Sequence, residues 1–153
     1  MGFVGTYVLV FVRWSGHGAT GRQDVRVIIA PKGRGHVGTQ VEIDTPKPQQ
    51  DMPSTFVLTG WAADLDATSG TGIDALHVWA YPATGGAPVF LGAVTTGGIR
   101  PDVAAVHGDQ FRTAGFAHVV QALAPGAYDI AVFPWSSVTS GFAPARVVRI
   151  TVQ

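Results

Sequence analysis

The oxygen-rich stretch from Asp64 to Asp74 (DLDATSGTGID) is where this sequence comes nearest to metal chemistry. Asp64-x-Asp66-x-Thr68 sets carboxylate and hydroxyl oxygens at alternate positions, as at the start of a calcium loop, and Asp74 adds a third carboxylate. Two departures stand against it. Gly70 falls one position later than such a loop requires its glycine, and Ala75 stands where a closing glutamate would be. Ca²⁺ is thus the one cofactor the sequence raises. The five histidines (His17, His36, His77, His107, His118) lack the spacing of a zinc site, and with no cysteine both thiolate chemistry and disulfides are excluded.

Nucleophilic catalysis would need a serine, a histidine base and an orienting acid. Ser15, Ser136 and Ser137 fall in loops, and no G-x-S-x-G elbow occurs. A small hydrolase would therefore require a site assembled in space, joining His77 or His118 to an acid and a hydroxyl in a deep polar pocket. A glycosidase would need two carboxyls about 5 to 10 Å apart across a cleft, whereas Asp64, Asp66 and Asp74 share one loop. Gly33 to Gly38 (GRGHVG) matches a dinucleotide-binding fingerprint, but a strand pattern and prolines follow it instead of a helix. Aromatic residues offer a different chemistry. Trp61, Trp79 and Tyr81, or Trp14 and Trp135, could stack on the apolar faces of sugars if at least two lay coplanar and exposed.

The elements that must position these groups are strands. The chain of 153 residues holds 20 glycines, 10 prolines and no asparagine, the composition of a turn-rich β protein without N-glycosylation sites. Its ten basic and ten acidic side chains cancel, and the basic ones form no run, which excludes a nucleic-acid footprint. Met1 to Val12 is apolar, yet it lacks a basic n-region and a small-residue cleavage site, and it is too short to span a bilayer as a helix. It reads as a strand, not as a signal peptide or a membrane insertion.

Periodicity predicts strands over Tyr7 to Val12 and Val25 to Ala30. Seven more are predicted over Gln40 to Ile43, Thr55 to Trp61, Ile73 to Tyr81, Val89 to Val94, Phe116 to Gln121, the run after Gly126, and Arg146 to Val152. Asp102 is expected to cap a single helical turn over Val103 to His107, ended by Gly108. The strand Ile73 to Tyr81 has two apolar rows, Ala75, His77, Trp79 and Tyr81 on one face and Leu76, Val78 and Ala80 on the other. Phe56, Phe90, Phe111, Phe116, Trp79 and Tyr128 are the natural core fillers.

Leu123-x-Pro125-Gly126-x-Tyr128 resembles the tyrosine corner of immunoglobulin-like sandwiches, in which the phenol bonds back across the turn. Gly5 to Ile29 also repeats Gly126 to Ile150 at an offset of 121, matching Tyr7 to Tyr128, Trp14 to Trp135 and Ser15 to Ser136. Further motifs are Gly60-Trp61-Ala62-x-Asp64, Ser69 to Pro82, Val89-Phe90-Leu91-Gly92, Arg100-Pro101-Asp102-Val103 and Gly115-Phe116. Together they resemble the immunoglobulin-like repeats of large bacterial secreted and cell-surface proteins. That resemblance implies a β-sandwich, tandem occurrence and extracellular exposure, and it brings no catalytic residues. It also makes Trp79 the expected buried core tryptophan of the third strand.

The expected fold is accordingly an all-β, Greek-key immunoglobulin-like sandwich of about seven strands with an extra N-terminal β-hairpin. Residues 1–30 read as the hairpin remnant of a preceding repeat, 31–38 as a linker and 39–153 as a complete module. The hairpin is expected to pack end-on, to lie along a sheet edge or to draw partner strands from a neighbouring molecule. The expected role is that of a non-catalytic structural, spacer or adhesion module, not an enzyme. Its expected partners are neighbouring repeats of the parent chain and a surface glycan or protein. Trp61, Trp79, Tyr81 and Trp135 are the candidate ligand contacts, Asp64, Asp66 and Asp74 the candidate Ca²⁺ ligands, and Trp79, Pro125, Gly126 and Tyr128 the structural residues.

Overall fold

The structure is a computed structural model that describes residues 38–153 in full and, before them, the backbone of two strands. Those two are β1 (Thr6–Phe11) and β2 (Val27–Lys32). There follow β3 (Thr39–Thr45), β4 (Gln50–Met52), β5 (Phe56–Asp64), β6 (Ile73–Pro82) and β7 (Val89–Val94). A helix α1 (Pro101–His107) and a 3-10 turn (Asp109–Phe111) precede β8 (Gly115–Val120), β9 (Gly126–Ser136), β10 (Gly141–Phe142) and β11 (Arg146–Val152).

β3, β5 and β8 form one antiparallel sheet. The other runs β4-β11-β9-β6-β7, with β10 added on β9. This order, with consecutive strands exchanged between two facing sheets, is that of an immunoglobulin-like sandwich. The sandwich is unclosed, because no ladder joins β7 to β8.

All seven expected strands of the sandwich are present, two of them (Val89–Val94 and Arg146–Val152) with the expected ends and the others with ends displaced by up to a few residues. Two short strands went unforeseen. β4 lies between the predicted strands Gln40 to Ile43 and Thr55 to Trp61 and pairs in parallel with β11, and β10 folds back on the end of β9. Neither has enough residues to show an alternating pattern: β4 exists through pairing with the distant β11, and β10 through a tight fold-back onto the preceding strand.

The core is built from the inward rows. Leu58, Leu76, Val78, Ile130, Val132 and Ile150 are wholly buried, and Phe56, Phe116 and Tyr128 nearly so. Each such side chain contributes about 1.5–3 kcal/mol of burial. Gly60 allows β3 and β5 to lie close, because a Cβ there would collide with the Glu42 carbonyl.

Two core assignments are corrected. On β6 the row Leu76, Val78 and Ala80 points inward, so Trp79 lies half-buried on the outer face and is not the core tryptophan. Phe90, on the edge strand β7, is 48% exposed instead of filling the core. Small and branched aliphatics already close the space between the sheets at these levels, leaving no room for an indole.

The predicted helical turn forms, but it begins at Pro101 and Asp102 does not cap it. Asp102 sits in the first turn and pairs back to Arg100. Gly108 does end the helix, its N–H donating to the Ala104 carbonyl.

β1 and β2 pair antiparallel, with Phe11 opposite Val27 and Thr6 opposite Lys32. β2 thus extends past the Ala30 boundary expected for the hairpin. Under the offset of 121, Phe11 corresponds to Val132, whose partner Arg146 corresponds to Val25. The N-terminal pairing is therefore two residues out of step with the β9–β11 pairing, an even shift that keeps each strand's faces unchanged.

Candidate functional site

The aspartates are not brought together as a cage. Asp64 ends β5 wholly buried, and its oxygens accept hydrogen bonds from Ser136 Oγ (2.5 Å), Thr39 Oγ1 (3.2 Å) and the Asp66 N–H (3.1 Å). Ser136 Oγ accepts in turn from the N–H groups of Val138 and Thr139. Asp66 accepts from the Gly38 N–H at 3.0 Å, while Asp74 is exposed on β6 at the register break between Ile73 and Ala75.

A carboxylate whose partners are all donors is stabilised without a cation. Asp64 pins the start of β3, the β5–β6 loop and the end of β9 into one corner. Gly72 belongs to the same corner, since its φ of +70° and a Cβ position 2.8 Å from the Asp64 Cβ admit only glycine. Among the described residues, no three His, Asp or Glu side chains form a metal-binding group.

A second polar cluster holds α1. Arg100 donates to both Asp102 oxygens (2.8 and 2.6 Å) and to Asp44 at the end of β3 (2.6 Å). The Arg100 hydrogen bonds hold the Asp102 carboxyl down at about 2. An open groove of about 470 Å³ runs beside this cluster, lined by Thr96, Ile99 and Phe116 among others, and its one cation is already engaged by two carboxylates.

The tyrosine corner forms as expected. Tyr128 is nearly buried at the start of β9, and its phenol donates to the Ala124 carbonyl at 2.9 Å, across the Pro125-Gly126 turn.

The aromatic candidates divide between the two outer faces. Trp61 lies on the β5 side that α1 covers. It packs with Val103, Phe111 and Ala114, its ring 5.5 Å from that of His107. Trp79, Tyr81 and Trp135 lie on the opposite face, along β6 and β9. There a continuous strip runs Trp135, Phe142, His77, Phe90, Trp79, with successive ring centres 4.9, 4.7, 5.5 and 4.8 Å apart.

Adjacent rings in the strip meet at 51° to 84°, so they form a corrugated ridge and not a flat platform. Coplanarity, the requirement for sugar stacking, is not met by these pairs. His77 is held between Phe90 and Phe142, and His118 Nε2 bonds the Leu91 carbonyl at 2.8 Å, tying β8 to the edge strand β7. Neither imidazole is placed as a catalytic base beside the buried Asp64 and Ser136.

Sequence reasoning missed Phe142, which lies in the β9–β11 connection, and misplaced Phe90 in the core. The available signal was the double apolar row of β6, whose ring-bearing side had to face outward once the aliphatic side filled the core. Trp14, His17, His36, Ser15 and the glycine-rich stretch before Gly38 lie outside the described residues.

Neither a protein-family model nor a curated protein matches the chain. Among solved structures it is similar to the Clostridium thermocellum CbhA fibronectin(III)-like modules, at 13% identity and a TM-score of 0.41, over 74% of this chain and 46% of that one. It is also similar to CopC from Methylosinus trichosporium OB3b, at 12% identity and a TM-score of 0.43, over 74% of this chain and 94% of that one. The chain thus spans less than half the length of the CbhA chain it matches. The sandwich assignment rests on strand order and register.

Proposed function

We propose that this chain is a non-catalytic adhesion module of an extracellular bacterial protein. In this reading, residues 39–153 form a complete immunoglobulin-like unit, 31–38 a linker, and 1–30 a hairpin left from a preceding repeat. The observation that carries it is the aromatic strip from Trp135 to Trp79 on the outer face of the larger sheet. A pure spacer has no use for such a surface, because exposed apolar patches lower solubility unless a partner covers them.

The polar groups support the same reading. Asp64 and Ser136 are spent on each other inside the fold, where a substrate cannot reach them. Extracellular placement and tandem neighbours are supported by the motif set from Gly60 to Tyr128.

The test compares retention of fluorescently labelled protein on bacterial cell surfaces and on a glycan array with that of a Trp79→Ser, Trp135→Ser double variant. Retention that falls at least about tenfold, with an unchanged melting temperature, is the expected result. Equal retention of the two proteins would remove the strip from any adhesive role.

A further inference from the structure

The strip has an internal symmetry that the strand register makes explicit. β6 and β9 are antiparallel neighbours, with His77 opposite Phe133, Trp79 opposite Ala131 and Ala75 opposite Trp135. A half-turn about the centre of the His77–Phe133 pair therefore carries Trp79 onto Trp135. The edge strands follow the same rule, because Phe90 pairs with Trp79 on β7 as Phe142 pairs with Trp135 on β10. The same half-turn exchanges His77 with Phe133, and in order of ring contact the strip reads Trp, Phe, His, Phe, Trp.

We infer that this palindromic strip is a two-fold self-association surface whose occupant is a second copy of this chain. The inference rests on the adhesion reading above and names the partner for the same surface. A two-fold interface needs a patch that complements itself. With a separate dimer axis lying in the interface and crossing the strip near His77, the Trp135–Phe142 pair of one copy faces the Trp79–Phe90 pair of the other, so that a Trp–Phe pair meets a Trp–Phe pair at each end.

Area and charge agree with this partner. Phe90, Phe142 and Val147 are 48%, 44% and 49% exposed. With aromatic side chains of about 150–250 Å² each, the exposed parts of the strip and its neighbours give roughly 500 Å² per copy. Two copies would bury about 1,000 Å², the low end for a specific interface and the range of reversible contacts. The rim carries the Asp129–Arg149 ion pair, already neutral within one copy, and the whole chain has a formal net charge of zero. Copies therefore approach without net repulsion. An aromatic centre with a polar rim is the usual anatomy of a protein contact.

Sedimentation of the full chain from about 1 µM to about 1 mM tests this directly. The expected result is a concentration-dependent passage from monomer to dimer. Phe142→Asp and Phe90→Asp should each weaken association at least about tenfold, at exposed positions where the fold tolerates the change. His77→Asp, which sets two carboxylates against each other at the axis, should do the same, while His77→Phe keeps the dimer. Monomer alone at every concentration would overturn the self-pairing, whatever the retention assay shows. A dimer that persists unchanged in Phe90→Asp and Phe142→Asp would overturn it as well, assigning association to another surface such as the N-terminal hairpin.

Discussion

The two outer faces of the sandwich carry similar residues in opposite circumstances. On the smaller sheet Trp61 meets His107 beneath α1, and Phe111, 5% exposed, seals the contact. On the larger sheet, among the described residues, His77, Trp79, Phe90, Trp135 and Phe142 have no element packed above them, and two of the rings are nearly half exposed. Covering, not residue type, separates a structural aromatic from a contact aromatic. Among the described residues a helix, a 3-10 turn and the Arg100 cluster close one face, and no comparable element closes the other.

The largest expected effect loosens both faces together. Asp64→Ala removes the buried acceptor shared by Ser136, Thr39 and Asp66. It should cost about 3 kcal/mol or more, seen in chemical unfolding as a lower midpoint with both tryptophan environments changed.

The next separates the faces. Phe111→Ala should cost about 3 kcal/mol and expose Trp61 to quenchers, whereas Phe142→Ala should cost the monomer under about 1 kcal/mol. Equal costs would erase the distinction between a covered face and an open one. Tyr128→Phe is the control that touches neither face. Losing the phenol bond to Ala124 should lower stability by about 1 kcal/mol, with quenching of Trp61 and Trp79 unchanged.

Acid acts on the covered face through Asp102. Because the folded Asp102 carboxyl is held at about 2, below the ordinary 3.8, its bond to Arg100 favours the folded state fully above about pH 4. That contribution is lost as the pH falls toward 2. Acid titration should therefore shift the quenching of Trp61 in this window and leave Asp102→Asn indifferent to it. Smallest of all, Ca²⁺ against EDTA should leave the melting temperature in place, since Asp64 faces donors and Asp74 lies apart. A rise of several degrees reversed by chelator would contradict that arrangement.

The fold was largely legible because its signals are local. Leu123 to Tyr128 shows the corner within six residues, and alternation marks each long strand. β4 and β10 were not legible, having three and two residues whose only support is pairing with β11 and β9. The site was less legible for the same physical reason.

Asp64 looked like a ligand because spacing displays its neighbours in the chain, while its strongest partner, Ser136, comes 72 residues later. Trp79 looked like core because both rows of β6 are apolar, and only the packed aliphatics of β9 and β11 decide which row turns inward. The motifs Gly60, Asp64, Gly72, Arg100 and Tyr128 prove to be the residues that close, pin or cap the frame. Of the rings on the opposite face, His77, Trp79 and Phe90 lie within quoted motifs and Trp135 within the repeat, whereas no motif marked Phe142.

The most direct measurement compares the faces in one experiment. A photo-crosslinking phenylalanine analogue replaces Phe142 in one protein and Val106 in another. Val106 is 76% exposed on the outside of α1, so access is not limiting at either position. On illumination, the protein carrying the analogue in place of Phe142 should yield a covalent dimer, and the one carrying it in place of Val106 should remain monomeric. Equal crosslinking from both positions, or crosslinking only from the helix, would contradict the assignment of the open aromatic face as the surface this module uses.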